Sequence, residues 1–198
     1  MTSRPQPLAL EELPAEAKAL YDQVVGFMGF LPNSTRTMAK RPELQKRLRA
    51  LVSYMFGSEI TIEPQLRNMI CYIVAYGAKN SYCEAHGAEG AYRSGVDREK
   101  VANLWRFETS PLFDERERAV LSFALAAVQQ PNAVEESHYE ALAKYFDELQ
   151  ILDLVAIISI TGFLNRWQGT LATQLEGPPR EFAETVLKES GWEIGRHA

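Results

Sequence analysis

An all-α fold is what this sequence predicts, and three observations carry the prediction. Apolar residues recur at the i, i+3, i+4, i+7 spacing of a helix face along nearly the whole chain. No segment alternates with the two-residue period of a strand, and no Asn-Gly or Asp-Gly pair marks a hairpin. The length of 198 residues, 46% of them hydrophobic, allows one domain to hide roughly 70% of its unfolded surface, so neither disulfides nor a structural metal is required to hold it.

The elements follow in order. Residues 1–14 hold three prolines among polar residues and read as an extended arm ahead of a single helical domain over 15–198. From Ala15 to Phe27, the residues Ala19, Leu20, Val24 and Phe27 share a face until Gly29-Phe30-Leu31-Pro32-Asn33 breaks it. A short helix over 34–40 stops before Pro42, a residue suited to a first helical position. Leu44, Leu48, Leu51, Val52, Met55 and Phe56 then keep the helical pattern to Gly57, and Leu66, Met69, Ile70, Ile73, Val74 and Gly77 repeat it. After a break at Lys79-Asn80 a helix restarts at Ser81 and runs to Arg93, followed by a short one from Asp97 through Val101 and Leu104. Asp114 can cap a helix carrying Val120, Leu121, Ala124, Leu125 and Val128, which stops at Gln130-Pro131-Asn132. Tyr139, Leu142, Phe146 and Leu149 mark another. Ile151 to Leu175 forms a long helix, apolar on most sides in its first half and so expected to be central and buried.

A faint internal repeat appears when Ile151 is set against Leu66. Gly162 then falls on Gly77, Asn165 on Asn80 and Trp167 on Tyr82, so that Gly-x-x-Asn-x-aromatic occurs twice at the end of an apolar helix, as two stacked helical units would give.

Charge and apolar runs exclude several classes. A net charge of −5 leaves no basic footprint for nucleic acid or an anionic membrane surface. The N-terminus lacks the apolar run of a signal peptide, and the stretch Leu154 to Leu164 is far shorter than the roughly 20 apolar residues of a membrane span. A cytoplasmic location follows, where thiols rest reduced. No Walker, Rossmann or zinc spacing is present, so neither metal nor cofactor is implied.

With two cysteines and three histidines in the chain, any cluster among them carries information, and Cys83 and His86 form one. Ser81-Tyr82-Cys83-Glu84 fits a Ser-x-x-Glu capping box with Ser81 as N-cap. Cys83 then lies in a first helical turn, where free N–H groups and the dipole favour a thiolate. His86, one turn on along the same face, is placed to take its proton. Glu84 points off at about 100° and its charge opposes the thiolate. Against this stands the ordinary role of a cysteine as a small buried hydrophobe, which is also the reading of Cys71 beside its apolar stripe. His138 reads as a surface residue, His197 as part of a frayed tail, and Lys46, Arg47 and Arg49 as a solvated face.

Gly29-Phe30-Leu31-Pro32-Asn33, Met38-Ala39, Pro42-Glu43-Leu44, Leu66-Arg67, the run Asn80 to His86, Glu117-Arg118-Ala119 and Asn165-Arg166 together resemble the carboxymuconolactone decarboxylase-like and alkylhydroperoxidase D-like superfamily, in its peroxidase-related branch. The resemblance covers about residues 15–175. It implies an all-helical fold, assembly into dimers, trimers or hexamers, and, in redox-active members, a Cys-x-x-Cys with a downstream His and an upstream Glu. There the second Cys attacks a hydroperoxide, becomes a sulfenic acid and is resolved by the first.

Carried over position by position, Cys83 matches the attacking Cys and His86 the relay His. The first Cys position holds Asn80 and the upstream Glu position holds Asn68. What remains is a one-Cys chemistry at Cys83, resolved by an external thiol reductant, with Cys71 as the candidate internal resolving thiol and Asn68, Asn80, Tyr82 and Glu84 as pocket-lining residues. Two rival readings stand beside hydroperoxide reduction. One is a non-redox lyase or isomerase acting on a small carboxylate or lactone, with His86 and Glu84 moving protons and Arg67 or Arg166 holding the anion. The other is a scaffold without chemistry.

Overall fold

Prolines and short polar caps set where the helices begin. The computed structural model describes residues 4–198, except for the side chains of Glu16 and Phe27, so the expected place of Phe27 on its helix face, like the first three residues of the arm, lies outside what is described. Among the described residues all regular structure is helical. After 3-10 turns at Leu10–Glu12 and Ala15–Ala17 come α1 (Lys18–Met28), α2 (Asn33–Met38), α3 (Pro42–Phe56), α4 (Pro64–Gly77) and α5 (Ser81–Arg93). Then follow α6 (Arg98–Ala102), α7 (Glu115–Ala127), α8 (Glu136–Leu142), α9 (Glu148–Leu171) and α10 (Gly177–Val186). Pro42 and Pro64 start α3 and α4 where a missing N–H costs nothing. Asp114 and Asp147 each close a capping box, with Glu117 and Gln150, and thereby start α7 and α9. The arm is partly docked: Leu8 exchanges hydrogen bonds with Arg36 of α2 through its N–H and its carbonyl.

The α4–α5 hairpin is the centre of the molecule, with α9 and α7 packed on α4 and α10 on α5. Gly87 permits the close approach of the two helices. A Cβ there would lie 2.8 Å from the Tyr72 Cα and 2.9 Å from its backbone N, so any side chain would force the backbones apart. Tyr72, Ile70, Ile73, Leu104, Leu121, Leu154 and Ile157 form part of the core around this contact.

Several sequence expectations need correction. The Tyr139 helix ends at Leu142; Phe146 is buried in the connection, and Leu149 belongs to the first turn of α9. Asp147 caps α9 ahead of the expected start, and Ala172, in a left-handed conformation, ends it before Leu175. α9 is long and apolar enough to span a membrane by length and composition alone, yet it packs on α3, α4, α5 and α7 as a core helix does. It is not buried all round: Leu149, 73% exposed, Leu152, Val155 and Phe163 lie on an open face. His197 is not in a frayed tail. It is buried, with Nδ1 against the Thr173 carbonyl at 2.7 Å, while its own carbonyl accepts from the Leu175 N–H at 2.8 Å. His138 accepts the Glu135 N–H in the first turn of α8, and Arg47 forms an exposed ion pair with Glu43.

Candidate functional site

The corner between α4 and α5 is built by one residue with two duties. The N–H of Asn80 reaches back to the Ala75 carbonyl at 3.0 Å and that of Lys79 to Tyr76 at 3.1 Å, the paired bonds of a Schellman ending. Lys79 sits in the left-handed region at φ 55°. Asn80 then acts as N-cap of α5: its side-chain oxygen accepts the Cys83 N–H at 3.2 Å, and its amide donates to the Asn165 carbonyl of α9 at 2.8 Å. Asn80, not Ser81, is therefore the cap. Ser81 is already within the helix and turns its hydroxyl to the Ile194 carbonyl at 3.0 Å.

Cys83 thus lies in the first turn of α5, as the sequence indicates, but its thiol has the opposite bias. Burial pushes its pKa up, and the carboxylates of Glu84 and Glu176 push the same way. The resting group is a thiol, and among the described residues its sulfur makes no hydrogen bond. Glu84 is itself only 8% exposed, and burial pushes its pKa up to about 7 against the weaker pull of Lys79.

His86 has a partner that the sequence does not reveal. Its Nε2 lies 2.8 Å from Oε2 of Glu176, with both side chains largely shielded from solvent. The other oxygen of Glu176 accepts from the Tyr82 hydroxyl at 2.9 Å and from the Asn33 N–H. Burial opposes ionisation of Glu176, but the hydrogen bonds from His86 and the Asn33 N–H outweigh it and hold its pKa below the usual carboxylate value. Tyr82 and Phe30 flank the imidazole at centroid distances of 4.5 and 5.9 Å. The Gly29 to Asn33 motif and the segment leading into α10 therefore wall the site together, and Asn33 also donates to the Gln174 carbonyl.

The pattern of the Carboxymuconolactone decarboxylase family matches residues 42–126. The chain is 32% identical to the debrominase Bmp8, whose crystal structures include a cysteine-to-alanine variant in complex with 2,3,4-tribromopyrrole; that match covers 94% of this chain and 98% of the other, with a TM-score of 0.86. The chain belongs to the carboxymuconolactone decarboxylase family. A peroxidase-related protein from Silicibacter sp. TM1040 shares the fold at 22% identity and TM-score 0.78, covering 89% and 96% of the two chains. The uncharacterized protein YnjA of Escherichia coli K12 is 25% identical over 127 residues, 64% of this chain and 69% of its own.

Within this carboxymuconolactone decarboxylase-like frame Tyr82 and His86 share Glu176, Asn80 caps the turn that carries Cys83, and Glu84 is buried next to it in that turn. Asn68 does not line the site. Its amide returns to the Pro64 carbonyl at 2.9 Å and it lies against Gly90, about 10 Å along α5 from Cys83 at 1.5 Å per residue. Cys71 is hydrogen-bonded to the Thr161 hydroxyl at 3.4 Å, and burial raises its pKa. The pairing of Gly87 with Tyr72 sets Cys71 beside residue 88, roughly 7 Å along the axes from Cys83. Arg67 is buried, donating from Nη1 to the Met55 carbonyl and lying over the Phe56 ring while its Nε has no partner among the described residues, and Arg166 is exposed. Among the described residues no group of three or more His, Cys, Asp or Glu is arranged to hold a metal. Glu176 itself had one signal, an acidic residue directly before Gly177-Pro178-Pro179, which reads as a helix start.

Proposed function

We propose that this protein is a thiol-dependent reductase in which Cys83 removes an electrophilic heteroatom from a small substrate, with a halogenated heteroaromatic ring favoured and a hydroperoxide as the second class. The observation that carries the reading is the pairing of a protonated, partly buried Cys83 thiol with an imidazole one turn on, itself held by a carboxylate and faced by Tyr82 and Phe30. The full-length likeness to a debrominase supports the halogenated substrate. Hydroperoxide reduction rests on Cys83 standing at the attacking-Cys position of the family pattern.

The chemistry is the same for both classes. The sulfur attacks the halogen X of Ar–X, the C–X bond breaks, the thiol proton ends on carbon, and the products are Ar–H and Cys83–S–X. With ROOH the O–O bond breaks, giving ROH and Cys83–S–OH. A small external thiol then attacks the oxidised sulfur, releasing halide and a proton, or water, and a second thiol reduces the mixed disulfide. A thiol kept protonated until substrate arrives is protected against indiscriminate oxidation.

The test is turnover of a brominated pyrrole and of cumene hydroperoxide in the presence of dithiothreitol, with bromide release and product mass measured in parallel with peroxide loss. The expected result is one bromide released per debrominated ring, abolished in Cys83→Ser and retained in Cys71→Ser. Peroxide loss with no bromide moves the protein to the second class. Turnover of neither, or turnover that survives Cys83→Ser, overturns the reading.

A further inference from the structure

We infer that Glu176 is a positioning residue that fixes His86 in its Nε2–H tautomer, leaving the Nδ1 lone pair to accept the Cys83 thiol proton. The inference rests on the reductase reading and adds a residue that lies outside the matched family segment, which spans residues 42–126.

The geometry points this way from three sides. Both oxygens of Glu176 are engaged by donors: Oε1 by the Tyr82 hydroxyl and the Asn33 N–H, Oε2 by His86. An ionised carboxylate only accepts, so the imidazole nitrogen facing it carries the hydrogen. Nδ1 of His86 is then the acceptor nitrogen, and among the described residues it has no hydrogen-bond partner. Finally, helical side chains lean toward the N-terminus, which tilts this ring back over the turn that carries Cys83. Asn68, at the position where the family resemblance implies a carboxylate, is spent on its own helix, and the carboxylate that touches the histidine comes from the start of α10, at the other end of the chain.

The proton path follows. As sulfur bonds to the halogen or the peroxide oxygen, the Cys83 proton passes to Nδ1, the imidazolium is stabilised by Glu176, and the proton is returned to the carbon or alkoxide that leaves. The ionisable groups around this ring are Tyr82 and Glu89 on α5 and Glu176, the N-cap of α10, with Cys83 one turn before it on α5, Arg93 beyond Glu89 and His197 across the Tyr82 ring. None of the others accepts from Nε2.

Two measurements test the assignment without substrate turnover. In Cys71→Ser protein, long-range ¹H–¹⁵N correlations of His86 should report a protonated Nε2. In the added variant Glu176→Gln they should report a protonated Nδ1, because the Gln oxygen must still accept from Tyr82 and Asn33 and so turns its NH₂ toward the ring. Alkylation of Cys83 by iodoacetamide, followed by intact mass between pH 5 and 9, should then slow by about 100-fold near neutrality in Glu176→Gln and recover in part in Glu176→Asp. In a His86→Ala background the Gln substitution should slow alkylation no further. A parent His86 protonated on Nδ1, a Gln variant with the parent profile, or an equal slowing in the His86→Ala background overturns the positioning role. If Glu176→Gln fails to fold, the tautomer read in the parent decides the matter. Cys83 inert to iodoacetamide in the parent protein as well sinks the reductase reading itself, a result distinguishable from indifference to Glu176.

Discussion

The motif Gly-x-x-Asn-x-aromatic is folded in two opposite ways in this chain. At Gly77 to Tyr82 the helix stops: Lys79 turns left-handed, and Asn80 closes α4 and opens α5. At Gly162 to Trp167, α9 runs straight through, and Asn165 folds its amide back on the Thr161 carbonyl of its own helix at 2.9 Å. The two asparagines are joined, with the Asn80 amide on the Asn165 backbone carbonyl. In the first copy the side chain replaces backbone partners that a helix start lacks; in the second the backbone needs no such help. The consequence is functional. Because α9 turns only at Ala172, about two turns past the aligned position, the chain leaving it delivers Glu176 to His86 rather than folding back early.

The largest effect should come from breaking the cap. Asn80→Ala removes the acceptor of the Cys83 N–H and the donor to a buried carbonyl, and a lost cap with an unpaired buried group costs about 3 kcal/mol together. Urea unfolding should show that loss, and Cys83 alkylation should change with it because the first turn of α5 loosens. Asn165→Leu should change stability by less than about 1 kcal/mol, since the side-chain oxygen of Asn165 is buried without a partner and its amide bonds a carbonyl already in the helical ladder. Equal losses at the two sites would erase the distinction.

A second contrast is charge. The corner copy buries Glu84, whereas α9 has Gly169 at the aligned place. With the Glu84 pKa near 7 in the folded protein and about 4.3 unfolded, the native state holds the extra proton between those values, so stability falls as pH rises through them and the penalty is complete above about pH 7. Glu84→Gln should therefore stabilise by up to about 3.5 kcal/mol at pH 8 and by almost nothing below about pH 4.5. Denaturant midpoints at the two pH values measure the difference; a gain that does not change with pH would place Glu84 in water.

How much of this is legible in the sequence follows from the same residues. The 3.6-residue period and the prolines locate most helices, and α5 falls where the sequence puts it with its cap one residue earlier, at Asn80, because local chemistry determines them. The thiol's bias is only partly legible: Glu84 stands next to Cys83 in sequence, but the burial that reverses the first-turn preference, and the approach of Glu176, come only with folding. Cys83 and His86 are one turn apart in sequence and stand out as a pair. Glu176, ninety residues from His86, does not, because nothing local ties an acidic residue before Gly-Pro-Pro to a distant imidazole. Asn68 fails as a pocket residue for the converse reason: the family register places it, but the helix face does not.

The smallest effect separates the two glycines. A Cβ on Gly162 meets nothing within 4 Å, so Gly162→Ala trades only the flexibility of a helical glycine and should stabilise by about 0.5–1 kcal/mol. A Cβ on Gly77 would lie 2.7 Å from Cγ2 of Val128 and 3.1 Å from Cδ1 of Leu125. Valine is stiff at χ1, so the overpacking, about 1–3 kcal/mol, exceeds the helical gain and Gly77→Ala should destabilise by about 1 kcal/mol. Opposite signs in thermal or urea unfolding would mean that the first glycine is kept for the closeness of α7 to α4, and that the second has no comparable packing demand. If both substitutions stabilise, Val128 yields, and the corner owes its position to Asn80 and Lys79 rather than to the fit of α7 against Gly77.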